Sequence, residues 1–287
     1  MRISYRHEIT CTFDRPAASV LRVLRVTPWA IECQHLDAWR IDLDCDCRLR
    51  HGDDAYGNVV DTVSSEEPLQ SMKIIAQGEI VTTDTSSILR NALERFPPDF
   101  YLRDTPLTTA DDALRDFAKK ATSAATTPLD KLHALLSATT NEIDVDRDAP
   151  RDRTAAEALR DEKGSPADLA HVFIAAARQI GAPARFVSGA LVVQDYAELI
   201  DASHAWAEAF VPGIGWIGFD PVEGLCVHEA HVRIAFALDE LGARFLRAAP
   251  IFGTGETVTT KLIACEGCQI RNRQERSFGM SQEQFQT

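Results

Sequence analysis

The stretch GSPADLAHVFIAAARQIGAPARFVSGAL, residues 164–191, decides the fold of this chain. Ser165, Pro166 and Asp168 make a strong helix start, with a capping hydroxyl, a proline at the first helical position and an acid three residues after the cap. The residues that follow are apolar on nearly every side, which predicts a helix buried at the centre of a domain. Gly181 ends this helix, and the chain after it has the pattern of a strand.

A second stretch, SHAWAEAFVPGIGWIGFDP at residues 203–221, adds two strands joined by a tight turn. His204 lies on the first of these strands and Asp220 ends the second. A helix followed by three strands can bring a helix N-terminus, an imidazole and a carboxylate together, as nucleophilic catalysis requires. We therefore predict an α+β fold in which a central buried helix packs on an antiparallel sheet.

Alternation of apolar and polar residues dominates the N-terminal third of the chain. It is clearest at 3–13, 39–49 and 72–80, and it predicts half-buried strands of an antiparallel β domain. The alternation at 39–49 places Cys45 and Cys47 on the inner face of one strand. We interpret both thiols as part of the core packing.

Consecutive prolines mark the end of this β domain, since FPPD at 96–99 fits neither a helix interior nor a central strand. Apolar residues with helical spacing begin beyond it. We therefore predict a β-rich domain at 1–95, a linker at 96–109, a core domain at 110–268 and a polar tail at 269–287.

Composition and charge exclude several classes of protein. Of the 287 residues, 45% are hydrophobic and 25% charged, as in an ordinary globular protein. The net charge of −13 repels phosphate backbones and anionic lipids, and no apolar run approaches the ~20 residues that span a membrane. We predict a cytoplasmic protein with no nucleic-acid or membrane partner and with no cofactor or metal. Cys265 and Cys268 form a single C-x-x-C, which leaves a redox or metal role for them open.

Four short motifs together resemble the bacterial transglutaminase-like family, part of the papain-like superfamily of cysteine proteases and acyltransferases. They are GAPARFVSG at 181–189, HAW at 204–206, GWIGFDP at 215–221 and the Tyr-Gly-Asn turn at 56–58. The resemblance covers nearly the whole chain. It implies the family's β-rich N-terminal domain followed by a transglutaminase-like core, peptide amides as substrates, and ATP-grasp-type or proteasome-like proteins as partners.

One position departs from this resemblance. When the family's helix motif is aligned on Gly164 and Asp168, its nucleophilic cysteine falls on Pro166. In the family, the helix dipole stabilises a thiolate at that position. The resemblance assigns His204 as the base and Asp220 as the group that orients the base. Because proline has no nucleophilic atom, the resemblance implies a retained dyad without its nucleophile.

Two functions are compatible with this pattern. In the first, the chain is a degenerate member that binds a peptide or protein in the retained cleft. In the second, it remains a cysteine-protease-like amide hydrolase or acyl transferase, with Ser165, Cys226 or a water activated by His204 as the substitute nucleophile. A metal held by Cys226, His228, His231, Asp220 and His204 is disfavoured, because the spacing of Cys226, His228 and His231 matches no established ligand pattern. We favour the first function, since proline improves the helix start.

Overall fold

The computed structural model describes residues 1–90, 92, 94–192, 201–248 and 255–267. The strands are β1 (Arg2–Ala17), β2 (Val20–Leu24), β3 (Gln34–Leu43), β4 (Arg48–Asp53), β5 (Val59–Ser65), β6 (Leu69–Thr82), β7 (Ile88–Leu89), β8 (Asp144–Val145), β9 (Lys163–Gly164), β10 (Ala184–Leu191), β11 (Ser203–Val211), β12 (Gly215–Asp220), β13 (Leu225–Cys226), β14 (His231–Ala237), β15 (Leu246–Ala248) and β16 (Glu256–Glu266). The helices are α1 (Asp112–Ala121), α2 (Pro128–Glu142), α3 (Ala155–Arg160), α4 (Pro166–Gln179) and α5 (Glu240–Ala243), with a 3₁₀ helix at Pro98–Leu102. Within the described ranges, no helix is long and apolar enough to cross a bilayer.

Two four-stranded antiparallel sheets hold the N-terminal strands. Their strand orders are β16-β1-β6-β3 and β15-β2-β5-β4. The inner faces share one apolar cluster, to which β1 contributes Phe13, β2 contributes Leu24, β5 contributes Val63 and β6 contributes Met72. This is the half-buried antiparallel arrangement that period-two alternation predicts.

The strand predicted at 39–49 is wrong as a single element. β3 ends at Leu43 and β4 begins at Arg48, and because the two strands belong to different sheets, the chain bends between them. Cys45 and Cys47 lie in this bend rather than on a strand, with their Sγ atoms 2.8 Å apart. Both pack partly against the apolar cluster. Burial alternates through the bend as it does along a strand, so the alternation could not reveal the break.

The last two strands return to the N-terminal sheets. β15 pairs with β2, and β16 pairs with β1 from Glu266 opposite Ile3 to Glu256 opposite Phe13. This pairing covers an edge of β1 that would otherwise expose a long row of backbone N–H and C=O groups. The predicted core at 110–268 contains both strands, whose partners lie in the predicted domain at 1–95.

Helix α4 lies at the centre of the core, which confirms the predicted α+β class. Every residue from Asp168 to Arg178 is buried. The helix packs against β10 and β11 of the antiparallel sheet β13-β12-β11-β10-β14 and against α1, α2 and α3. Phe173 of the helix stacks on Phe219 of β12, with ring centroids 5.1 Å apart. The centrally buried helix positions its N-terminus beside the strands that carry His204 and Asp220.

Candidate active site

A reciprocal capping box closes the head of α4. The Asp168 N–H donates to Ser165 Oγ at 3.2 Å, and the Ser165 N–H donates to Asp168 Oδ2 at 2.8 Å. The Ser165 hydroxyl donates its own proton to the same carboxylate oxygen at 2.9 Å. Pro166 follows as the first helical residue, where its fixed φ and missing N–H suit the helix. The Ser165 hydroxyl is therefore already engaged in closing the helix end.

Gly164 and Asp168 make this capping box compact. A Cβ at residue 164 would lie 2.7 Å from Asp168 Cβ, so a larger residue would push the carboxylate away. Burial raises the pKa of the Asp168 carboxyl, and the hydrogen bonds from Ser165 oppose that rise. The position that the resemblance assigns to a nucleophile is thus built as a stable helix start.

His204 on β11 and Asp220 at the end of β12 form a buried hydrogen bond. His204 Nε2 lies 2.6 Å from Asp220 Oδ2. The other carboxylate oxygen, Oδ1, accepts the N–H groups of Val222 at 2.9 Å and Glu223 at 3.3 Å. The turn after β12 therefore fixes the orientation of the carboxylate, and the carboxylate in turn orients the imidazole.

His231 is a second imidazole on the same carboxylate. Sequence patterns place it with Asp220 and His204 only in a disfavoured metal set and do not predict this hydrogen bond. His231 Nε2 lies 2.9 Å from Asp220 Oδ2, while its Nδ1 accepts the backbone N–H of His228 at 3.3 Å. The side chain is fully buried. The loop after Asp220 brings His231 back to the carboxylate, and no periodic pattern in the sequence marks such a contact.

The proton positions in this cluster follow from its hydrogen bonds. Burial by itself raises the pKa of Asp220, but the hydrogen bonds from His204 and His231 lower it far below its ordinary value. An ionised carboxylate only accepts hydrogen bonds, so each Nε2 carries a proton. Burial lowers the pKa of His231, although Asp220 opposes this shift. His231 is therefore neutral near pH 7.

When His204 is neutral, its one ring proton is on Nε2, so its Nδ1 carries a lone pair. This nitrogen is buried and has no hydrogen-bond partner among the described residues. A buried acceptor of this kind is costly to leave unpaired. The arrangement therefore provides a base, or a hydrogen-bond acceptor, that awaits a donor from a ligand.

A cleft of about 740 Å³ contains Ser165, Pro166 and His204 in its lining. It lies between the core and the N-terminal sheets, because residues of β1 and β16 also line it. Its larger apolar side chains are Ile9, Phe186, Leu241, Phe245, Leu246 and Val258. A second cavity, beside Glu208 and Arg233, has a volume of only about 50 Å³, which suits water rather than a ligand.

His171 supports one wall of this cleft from inside the core. Its Nε2 accepts the backbone N–H of Glu240 at 3.1 Å, and Glu240 lines the cleft. Burial lowers the pKa of His171 to about 3. His171 is therefore a neutral acceptor that holds α5 in place.

The cysteines lie elsewhere. None of those in the described ranges lines the cleft. Cys226 lies on β13 and is half-buried, and burial raises the pKa of its thiol, which keeps it protonated. Cys268 and the predicted tail at 269–287 lie outside the described residues.

His204, Asp220 and His231 also have the donor atoms of a metal site. One ligand atom from each lies within 4.8 Å of the others, and two imidazoles with a carboxylate are ligands that zinc accepts. Both Nε2 atoms, however, are directed at the same carboxylate oxygen, at 2.6 and 2.9 Å. These hydrogen bonds account for the close approach without an ion.

Comparisons with known proteins give family matches over two ranges of the chain. Residues 115–221 match the model of the transglutaminase-like superfamily, and residues 3–81 match that of the bacterial transglutaminase-like N-terminal region. A candidate cysteine protease from Cytophaga hutchinsonii has a similar fold, with a TM-score of 0.74, 17% identity, and coverage of 95% of this chain and 92% of that chain. The periplasmic domain of TgpA from Pseudomonas aeruginosa has a TM-score of 0.39 at 15% identity, covering 75% of this chain and 87% of that chain. No curated protein matches.

The two family matches follow each other along the chain and together span most of it. They occupy the N-terminal strands and the core that carries α4, β11 and β12. The chain therefore belongs to the transglutaminase-like superfamily and carries the N-terminal region of its bacterial members.

Proposed function

We propose that this protein binds an extended peptide, or an exposed segment of a protein, in the cleft without forming a covalent intermediate on a thiol. The observation that supports this proposal most directly is Pro166 at the head of α4. Proline offers neither a nucleophilic atom nor an N–H at the position where the family resemblance expects a cysteine.

Neither substitute nucleophile has the environment that catalysis needs. Ser165 Oγ donates to Asp168, and the Nδ1 atom of His204 makes no hydrogen bond within the described ranges, so the two groups are not coupled. An attacking serine must pass its proton to a positioned base. Cys226 lies outside the cleft, and its thiol is protonated.

The cleft has the properties of a peptide-binding site. Its volume of about 740 Å³ and its mixed apolar and polar lining are typical of sites that accept a small ligand or a few peptide residues. A backbone N–H of such a ligand supplies the donor that His204 Nδ1 lacks. Under this proposal the dyad with Asp220 recognises the peptide backbone instead of activating a nucleophile.

A second candidate function is slow hydrolysis of amides by an activated water. It is favoured by the His204–Asp220 hydrogen bond of 2.6 Å and by His204 Nδ1, which has no hydrogen-bond partner among the described residues. In this reaction Nδ1 takes a proton from water, hydroxide attacks the amide carbon, and the imidazolium returns the proton to the leaving nitrogen. Catalysis without the nucleophile is expected to be weak.

A cysteine introduced at residue 166 tests whether His204 and Asp220 are directed at the head of α4. We expect Pro166→Cys to create a thiol whose pKa is below the ordinary ~8.5, because it lies at a helix N-terminus near His204. The measurement is the pH dependence of alkylation by iodoacetamide, with Ala149→Cys as the control for a thiol that lines the cleft away from the α4 N-terminus. If the two thiols react alike, and His204→Ala does not change the rate at residue 166, the dyad is not directed at the helix head.

Peptide binding and peptide hydrolysis are then measured separately on the wild-type protein. Random peptides displayed on phage should be enriched by the wild type and not by Ala167→Trp, which fills the cleft beside Pro166. In parallel, peptide-amide hydrolysis and amine transfer should stay at background. Turnover that disappears in His204→Ala would overturn the binding proposal in favour of the second candidate.

A further inference from the structure

The cleft lining contains four arginines and no lysine, beside the four carboxylates of Asp152, Asp168, Asp201 and Glu240. Arg147 and Arg151 lie in the loop before α3, whereas Arg244 follows α5 and Arg247 lies on β15. The protein as a whole carries a net charge of −13. The presence of several arginines in one cleft of so acidic a protein needs a physical explanation.

The carboxylates of the cleft already have partners. Arg244 pairs with Glu240, with Nε 3.2 Å from Oε1, and also with Asp152. Asp168 is held in the capping box. Asp201 accepts the N–H of Ser203 at 3.1 Å and its hydroxyl at 3.0 Å.

The remaining arginines are free of ion pairs. Arg147, Arg151 and Arg247 are exposed, and in the part of the chain that the structure describes, no carboxylate lies within ion-pair distance of any of them. Arg151 acts on Glu240 only through its charge, at longer range. Guanidinium groups bind carboxylates through two parallel hydrogen bonds, a geometry that lysine does not offer.

We propose that the ligand of this cleft is an acidic peptide, whose Asp or Glu side chains bind Arg147, Arg151 and Arg247. The inference rests on the proposed peptide-binding function and names the chemical class of its ligand. The peptide backbone passes Pro166 and His204, while its carboxylates reach the arginines of the lining. The negative charge elsewhere on the protein repels acidic peptides, so the arginines confine their binding to this cleft.

The test compares synthetic peptides that differ only in charge. Fluorescence anisotropy of the full chain is measured with a Glu-rich peptide, the same peptide with Gln at each Glu, and a Lys-rich version. Each exposed ion pair between an arginine and a peptide carboxylate should raise the affinity about two- to fivefold. The Glu peptide should therefore bind at least about tenfold more tightly than the Gln peptide. Added salt should reduce this preference.

Arg147→Ser, Arg151→Ser and Arg247→Ser combined in one variant should abolish the preference for the Glu peptide. The matched control replaces Arg15, Arg50 and Arg90, which are exposed, lie outside the cleft and change the net charge equally. The inference about acidic ligands would be overturned if the wild type bound Glu and Gln peptides with equal affinity. It would also be overturned if both triple variants lost the preference for the Glu peptide equally. If Ala167→Trp leaves the binding of every peptide unchanged, or no peptide binds at all, the proposed function itself fails.

Discussion

Ser165 and Pro166 show how two adjacent residues decide what a helix end can do. A thiol at the first helical position would face unpaired N–H groups and become acidic. Proline removes the nucleophile there, and the neighbouring hydroxyl donates to Asp168 at 2.9 Å. Both residues therefore serve the stability of α4, while His204 Nδ1 has no hydrogen-bond partner within the described ranges.

Replacing Ser165 distinguishes a structural role from a catalytic one. We expect Ser165→Ala to lower the free energy of unfolding by about 1 kcal/mol, because α4 loses its cap. Urea unfolding followed by circular dichroism measures the change. Thr154→Ala is the control, since Thr154 forms the equivalent capping box with Glu157 on α3. If hydrolysis is found in the wild type and lost in Ser165→Ala but not in Thr154→Ala, then Ser165 is a nucleophile.

At the scale of secondary-structure elements, β10 pairs on one side with β11, which carries His204, and on the other with β14, which carries His231. Gly189 lies opposite His204 on β11 and opposite Arg233 on β14. A Cβ at this glycine would lie 2.2 Å from the Val232 carbonyl oxygen and 2.5 Å from Trp206 Cη2. The missing side chain therefore leaves room beside β10 for the Val232 carbonyl of β14 and for the Trp206 indole of β11.

Gly189→Ala should disturb both the sheet and the histidine cluster. We expect it to lower the free energy of unfolding by about 1–3 kcal/mol, because neither a backbone carbonyl nor a buried indole can move freely. Gly52→Ala is the matched control on β4, where a Cβ would have no atom within 4 Å. Chemical denaturation gives the stability, and NMR of the imidazole protons reports on the His204–Asp220 hydrogen bond. Equal stability of the two variants would contradict this account of β10.

Sequence patterns predicted those elements whose signals are local. The helix start at Ser165 and the alternation at 3–13 each lie within a dozen or so residues, and the structure contains α4 and β1 there. The bend at Cys45 and the pairing of β16 with β1 depend on strands far apart in the chain, so no local period reveals them. The hydrogen bond of His231 to Asp220 was not predicted for the same reason, although both residues belonged to the disfavoured metal set.

At the scale of the whole molecule, buried neutral histidines connect the sheets, the core and the cleft. His7 on β1 lies 3.0 Å from Thr260 Oγ1 on β16 through its Nε2, and His171 accepts the N–H of Glu240. Burial lowers the pKa of His7 to about 4 and that of His171 to about 3. The pKa of His231 is lowered as well. Folding therefore keeps these imidazoles unprotonated.

The stability of the protein should consequently fall as the pH decreases from about 7 to about 5. In this window the unfolded chain binds protons on these histidines, near their ordinary pKa of ~6.5, while the folded chain does not, so acid favours unfolding. His7 and His171 should each remove about 2 kcal/mol over this range. Urea unfolding at several pH values measures the slope. His7→Gln and His171→Gln retain an acceptor and should each flatten it, whereas His35→Gln, at an exposed position, should not. A slope that is unchanged in both buried variants would mean that these imidazoles are protonated in the folded protein, and the neutral hydrogen-bond network around the cleft would then be wrong.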